Sequence, residues 1–96
     1  MLRKNSQSIG EILRQYLRVT QLEQHAMEGR IAEVWQQTLG EQITRETERI
    51  HLLEGQLTVV LRSPSLRQEI VMRRTAIRQA LNEKLGSDII KSVIVR

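Results

Sequence analysis

Apolar residues in the first 40 positions recur every three or four residues, which is the period of an α-helix. One set follows the spacing i, i+3, i+4, i+7 and i+8 and comprises Ile9, Ile12, Leu13, Tyr16 and Leu17. The next set comprises Leu22, Met27, Ile31, Val34, Trp35 and Leu39. Each set indicates an amphipathic helix with one apolar stripe. Because the two aromatic residues, Tyr16 and Trp35, lie on these stripes, we expect both in the core.

The boundaries of these helices follow from capping signals. Two residue pairs have the spacing of a capping box, namely Ser8 with Glu11 and Thr20 with Glu23. They predict one helix from about Ser6 to Val19 and a second from Thr20 to near Gly40. Residues 1–5 form a short basic lead that we expect to fray, and residues 41–47 add at most a loose turn.

The period then changes from helix to strand. Residues 49–54 and 56–62 are short and rich in large or β-branched apolar residues, and Leu57, Val59 and Leu61 alternate along the second segment. Gly55 lies between the two segments. The pattern predicts a β-hairpin, although Glu-Gly is a weaker turn signal than Asn-Gly.

Helical spacing returns between Ser63 and Gly86. The apolar positions of this stretch are Leu66, Ile70, Ile77, Leu81 and Leu85. Ser63 is a suitable N-cap, Pro64 suits the first helical position, and Gly86 suits a left-handed stop. The pattern predicts one long helix over residues 63–86.

The last segment, residues 88–96, predicts a third strand with Ile90 inward and Lys91 and Arg96 outward. The predicted order is therefore α-α-β-β-α-β. That order is typical of an α+β fold in which helices cover a small three-stranded sheet as a two-layer sandwich. Ninety-six residues without a linker predict a single domain over 1–96. The sequence leaves open which hairpin strand lies beside the third strand.

Charge is distributed unevenly along the chain. Residues 1–48 hold six Lys and Arg against seven acidic residues, whereas residues 49–96 hold nine against four. The basic second half and a pI near 10.3 favour a polyanionic partner.

The chain has no cysteine, which excludes disulfides and thiolate zinc sites. With no signal-peptide pattern and only short apolar runs, we expect a cytoplasmic protein without a membrane partner.

Catalytic chemistry finds little support in the residue pattern. His25 and His51 lie far apart in sequence, without HExxH spacing or a carboxylate cluster. No Walker loop or GxGxxG motif is present. We therefore predict that the protein is not an enzyme and holds no metal or cofactor.

Arginines in the second half are the stronger functional signal. On one long helix, Arg67, Arg74 and Arg78 would share a row, and Arg62 would end the strand that precedes it. Free N–H groups at the first turn suit a phosphate. The predicted nucleic-acid-binding residues are Arg62, Ser63, Arg67, Arg73, Arg74 and Arg78. The alternative is a solvated helix flank whose arginines pair with Glu69 or Glu83. With few aromatic residues to stack on bases, contacts would be mainly to phosphates.

Several short motifs, taken together in order and spacing, resemble the bacterial DciA family, formerly a family of unknown function. They are W-x4-G at Trp35 to Gly40, Thr47, G-x-L-x-V at Gly55 to Val59, S-x-x-L-R-x-E at Ser63 to Glu69 and L-N-x-x-L-G at Leu81 to Gly86. The likeness covers nearly the whole chain. It implies a K-homology-like fold and an accessory role for the replicative DnaB-type helicase, with binding to DNA and to the helicase.

Three features depart from the pattern that the resemblance implies. The chain lacks the GxxG loop with which K-homology domains clamp a nucleic-acid backbone. It ends at the third predicted strand, so activities that depend on the disordered tail of longer members are not expected to carry over. A zinc ribbon, described for some relatives, is excluded because cysteine is absent.

Two functions remain open at the level of the sequence. The first is a noncatalytic replication accessory protein that binds nucleic-acid phosphates, with DNA as the expected ligand and RNA as an alternative, and assists the replicative helicase. The second is a protein-interaction or homodimerisation module without nucleic-acid contact. The strand preference, the helicase-docking surface and the oligomeric state are not determined by the sequence.

Overall fold

A computed structural model describes the backbone of residues 2–96 and the side chains from Ser8 onward. The elements, in chain order, are α1 (Leu2–Leu39), α2 (Glu41–Glu46), β1 (Thr47–Leu53), β2 (Gln56–Leu61), α3 (Pro64–Met72), α4 (Arg74–Leu85) and β3 (Ser92–Val95). The chain is thus a mixed α+β fold with a small sheet, which confirms the predicted fold class. The K-homology likeness stays a prediction. Compared with the predicted order, the structure has a short helix, α2, where a loose turn was predicted, and two helices instead of one between β2 and β3.

The sheet has the strand order β1-β2-β3. β1 and β2 form the predicted antiparallel hairpin, and Glu54 and Gly55 both have positive φ angles at its turn. β2 and β3 are parallel, as expected when a helical crossover connects them. This pairing settles the position of the third strand: it lies beside the second hairpin strand, at an edge of the sheet.

The core lies between the helices and one face of the sheet. On β2, Leu57, Val59 and Leu61 are buried, as their alternation predicted. Ile90 is also buried, as predicted, although it lies in the loop before β3. Lys91 and Arg96 are exposed, as predicted. The helices contribute Ile31, Val34, Trp35, Ile70, Ile77, Leu81 and Leu85.

The predicted division of the first 40 residues into two helices is wrong. α1 runs without a break through Val19 and Thr20. Thr20 does not cap a new helix, because its hydroxyl donates to the carbonyl of Tyr16 within the same helix, at 2.8 Å. With no proline nearby to interrupt the ladder, capping-box spacing alone does not end a helix. Residues 2–5 belong to α1, Met1 lies outside the described residues, and the fraying of this lead stays a prediction.

Tyr16 is not in the core. It is 66% exposed, whereas Trp35 is fully buried as predicted. α1 therefore has one aromatic residue that is buried in the core and one that is exposed.

The predicted single helix over residues 63–86 is also wrong, because it is interrupted at Arg73. The Arg73 amide donates to the carbonyl of Ile70, three residues earlier, and Arg73 adopts φ −110° and ψ 15°. The helix ends were predicted correctly. The Ser63 hydroxyl accepts from the Leu66 amide, Pro64 starts α3, and Gly86 ends α4 in the left-handed conformation at φ 80°.

Candidate nucleic-acid interface

The strongest candidate site is a groove between α4 and β3. Arg74 and Arg78 lie four residues apart on α4, which places them on one side of that helix. Lys91 precedes β3 and faces the same groove, whose volume is about 280 Å³. Thr75 and residues 92–94 complete the lining. Three cationic side chains thus converge on a groove that no carboxylate lines.

The charges of this groove are not neutralised by neighbouring side chains. Among the side chains from Ser8 onward, no Asp or Glu lies within 4.0 Å of the charged groups of Arg74, Arg78 or Lys91. A second hollow lies beyond Arg78 and is lined by two acidic residues, Glu83 and Asp88. Arg78 therefore marks the boundary between a cationic groove and a hollow of mixed charge.

Asn82 holds the loop that brings Lys91 to the groove. This residue is 4% exposed, and its side-chain amide donates to the Ile90 carbonyl at 2.9 Å. Its side-chain oxygen accepts from the Ile90 amide at 3.0 Å. Both polar groups of the side chain are satisfied by one residue of the loop, so α4 and the start of β3 keep a fixed relation.

Gly55 supports the same loop from the hairpin side. Its carbonyl accepts from the Lys91 amide at 2.7 Å and from the Ser92 amide at 3.2 Å. A Cβ at this position would lie 2.8 Å from Cγ of Lys91, and its φ is +82°. Glycine therefore allows the turn and the close approach of Lys91 together.

β3 offers backbone groups at the groove. It pairs only with β2 in the described sheet, so its other edge carries amides and carbonyls without a strand partner. An edge of this kind beside three cations can donate hydrogen bonds to phosphate oxygens as well as attract their charge.

Three of the predicted site residues lie elsewhere, at the connection between β2 and α3. Arg62 donates to the carbonyl of Arg45 at 2.6 Å, and Arg67 donates to the carbonyl of Leu61 at 2.7 Å. Ser63 caps α3. Each of these side chains has a structural contact, which leaves only part of its hydrogen-bonding capacity for a ligand.

Arg73 lies at the break between α3 and α4. Its side chain is 53% exposed, and Nη1 is 4.0 Å from Oε1 of Glu69. Because the helix is broken here, Arg67 does not continue the row of Arg74 and Arg78 as predicted. The structure brings Arg74 and Arg78 together and adds Lys91. Lys91 was predicted to lie outward on the last strand, but its proximity to α4 was not, because that contact depends on the crossover between β2 and β3.

A polar contact on the other side of the molecule joins α1 to β1. Glu28 accepts from the Leu52 amide at 3.3 Å and lies 2.5 Å from Nδ1 of His51. Gln24 donates to Glu28 and to the Leu52 carbonyl. Burial raises the pKa of Glu28, but hydrogen bonds from Gln24, Leu52 and His51 outweigh it and hold the pKa below its ordinary value of 4.5. This contact joins two elements of the fold.

Within residues 2–96 no helix is long and apolar enough to cross a bilayer. The His, Asp and Glu side chains of the described region form no group of three that could hold a metal ion.

Several residues that carry the family likeness have structural contacts. The indole N–H of Trp35 donates to Oγ1 of Thr47 at 3.0 Å, and that hydroxyl donates to the Ile43 carbonyl at 2.8 Å. Asn82 and Gly55 hold the loop before β3, as described above. The residues of these motifs thus form contacts that connect neighbouring elements of the fold.

Comparison with known families agrees with the likeness. The family model described as Dna[CI] antecedent, DciA, matches residues 8–95. No curated protein and no solved structure matches the chain. Since the match spans nearly all of the chain, it also covers the groove between α4 and β3. The chain therefore belongs to the DciA family, which is associated with DNA replication and helicase loading.

Proposed function

We propose that the protein is a noncatalytic replication accessory factor that binds nucleic-acid phosphates in the groove between α4 and β3 and assists the replicative helicase. The convergence of Arg74, Arg78 and Lys91 without a neighbouring carboxylate is the observation that carries the proposal. Family membership supports the replication role and the helicase as a partner.

The phosphate backbone suits this groove better than the bases do. The described side chains include one Tyr and one Trp, and Trp35 is buried while Tyr16 lies on α1. No aromatic residue lines the groove, so base stacking has no platform there. Cationic side chains and a strand edge contact phosphates irrespective of sequence. We expect weak sequence specificity and strong salt dependence, with DNA as the main ligand and RNA as an alternative.

Arg62, Ser63, Arg67 and Arg73 act as secondary contacts in this proposal. Arg62 and Arg67 each use one donor on a backbone carbonyl, and a guanidinium has five N–H donors. A strand that passes along the groove and continues past the break at Arg73 would reach them last.

The test is the salt dependence of DNA affinity for the wild type and for the triple variant Arg74→Ala/Arg78→Ala/Lys91→Ala. If each cation neutralises one phosphate, the log–log slope should fall by about 2 to 3. The matched control is Arg18→Ala/Arg49→Ala/Lys84→Ala, which removes the same charge from exposed positions outside the groove.

Equal losses in the triple variant and in its control would contradict the groove as the site, because net charge alone would then account for binding. No salt dependence in the wild type would contradict phosphate binding altogether. A pull-down with the replicative helicase from the same cell tests the second part of the proposal, and its failure would leave only the nucleic-acid function.

The alternative, an interaction module without nucleic-acid contact, is favoured by a different observation, the exposed apolar stripe on the first half of α1. In that case the wild type and the triple variant should both fail to bind DNA.

A further inference from the structure

The first half of α1 projects beyond the body of the protein. The molecule measures 60 × 26 × 19 Å, and the 38 residues of α1 account for its length, at about 1.5 Å per residue. Every residue from Glu11 to Glu23 is exposed, whereas Ile31, Val34 and Trp35 in the second half are buried. We call residues 8–22 the free half.

The free half carries a large apolar surface. Seven of its large apolar side chains are each more than half exposed; besides Val19 and Leu22, they are the five of the predicted stripe, namely Ile9, Ile12, Leu13, Tyr16 and Leu17. Together these five expose on the order of 600 Å², at the upper end of the largest patch on an ordinary monomer. A stable interface buries about 800 Å² per partner. The patch therefore approaches the area that one side of a stable dimer needs.

This patch continues the face that already packs in the core. At about 100° per residue, positions 9, 13, 16, 20, 27, 31 and 34 fall within an arc of about 60°. The second half of that arc is covered by the sheet and α4, and the first half is covered by no described residue.

The stripe carries no charge between residues 8 and 22. Glu11, Arg14 and Arg18 project from the opposite side of the helix, as their positions at 100° per residue require. An uncharged apolar surface offers nothing to a polyanion. It is complementary to a second apolar helix face, and a two-fold axis makes one such face complementary to itself.

We propose that two copies of this chain pair antiparallel through their free halves. With the two-fold axis between residues 14 and 15, Leu13 of one copy lies opposite Tyr16 of the other, and Ile9 lies opposite Thr20. A parallel pair would bring the two folded bodies together at one end, whereas the antiparallel pair places them at opposite ends and opposes the helix dipoles.

A second observation supports this register. Where α1 meets β1, Leu53 lies at a groove of about 270 Å³ whose other lining residues are Thr20, Gln21, Gln24, His25, Glu28 and His51. Leu53 is 59% exposed there. In the antiparallel register, Ile9 of the second copy reaches the rim of this groove, so the partner helix also covers Leu53. The paired surface then extends past the free half on both copies.

The first test is the concentration dependence of molar mass by sedimentation equilibrium. We expect the wild type to dimerise and Leu13→Glu/Tyr16→Glu to weaken dimerisation by about 100-fold or more, because each copy would bury two carboxylates in an apolar interface. Arg14→Glu/Arg18→Glu is the matched control on the opposite side of the helix and should dimerise like the wild type. All four positions are exposed, and circular dichroism confirms that each variant is folded.

The second test uses the absence of cysteine from the chain. An oxidised equimolar mixture of Ile9→Cys and Thr20→Cys variants should give the mixed disulfide-linked dimer, while either variant alone should stay uncrosslinked. Self-crosslinking of the Ile9→Cys variant would indicate a parallel pair and overturn the register.

Three outcomes overturn the pairing itself. They are a wild type that stays monomeric at the highest concentration tested, equal dimerisation of both Glu double variants, and a monomer whose free half binds anionic phospholipid vesicles or the replicative helicase instead. These outcomes are independent of DNA affinity, so the pairing and the phosphate groove stand or fall separately.

Discussion

The two halves of α1 have the same apolar period but opposite surroundings. Ile31 and Trp35 are fully buried against the rest of the fold, whereas Leu13 and Tyr16 on the same face are 57% and 66% exposed. Periodicity determines that both segments are helical, since it reflects local geometry. Burial depends on what lies opposite, and only the second half has a sheet beside it. Local sequence thus determines whether a segment is helical, whereas a core forms only where another element covers the apolar face.

The largest expected difference in stability between the two halves is that between substitutions of their aromatic residues. Trp35→Ala should lower the free energy of unfolding by about 3 to 5 kcal/mol, because it leaves a cavity and removes the hydrogen bond to Thr47. Tyr16→Ala should change it by less than about 0.5 kcal/mol at protein concentrations that favour the monomer. Urea unfolding followed by circular dichroism measures both. Similar losses in the two variants would mean that the free half is packed in the monomer.

A buried and an exposed polar side chain should differ in the same way, on a smaller scale. Asn82→Ala should cost about 2 to 3 kcal/mol, because the buried amide and carbonyl of Ile90 both lose their partner. Thr20→Ala removes an exposed hydroxyl that bonds only within α1 and should be nearly neutral. Asn82→Ala should also weaken DNA binding, since the loop that holds Lys91 is released. If DNA affinity is unchanged in a folded Asn82→Ala variant, Lys91 is not a phosphate contact.

The stability that Glu28 provides where α1 contacts β1 is expected to depend on pH. The pKa of Glu28 is lower in the folded protein than its ordinary value of 4.5, so its ionised form stabilises the fold. That contribution is fully present above about pH 5 and is lost as the pH falls through the folded pKa.

Glu28→Gln should therefore lose about 1 kcal/mol at pH 7, where the carboxylate is partly screened by solvent, and less at pH 3. Thermal unfolding at the two pH values measures the difference, with Glu33→Gln as an exposed control on the same helix. A loss that is equal at both values would show that the charge of Glu28 does not contribute.

The sequence predicted those parts of the fold that depend on local chemistry. Alternation at Leu57, Val59 and Leu61 identified β2, and Ser63 and Gly86 marked the outer ends of the helical segment after it. The break at Arg73 was missed because no proline or glycine lies there and the spacing from Ile70 to Ile77 suits a straight helix. Tyr16 was misplaced because a stripe does not show whether a partner covers it.

The candidate site was predictable to the same extent. Arg74 and Arg78 were found because a spacing of four places them together on any helix. Lys91 joins them only through the parallel pairing of β3 with β2, which short-range patterns do not encode. Arg62 and Arg67 were grouped with Arg74 and Arg78 on a helix that proved to be two, and their contacts with backbone carbonyls follow from the turn between β2 and α3.

The most direct test of the account is urea unfolding of a chain that comprises residues 21–96, followed by the fluorescence of its single tryptophan, Trp35. We expect one cooperative transition, with a free energy of unfolding within about 1 kcal/mol of the full chain at concentrations that favour the monomer, because the core and the phosphate groove lie wholly within those residues. A shortened chain that is unfolded, or that loses several kcal/mol, would contradict the separation of α1 into a half that holds the fold and a half that is free to pair.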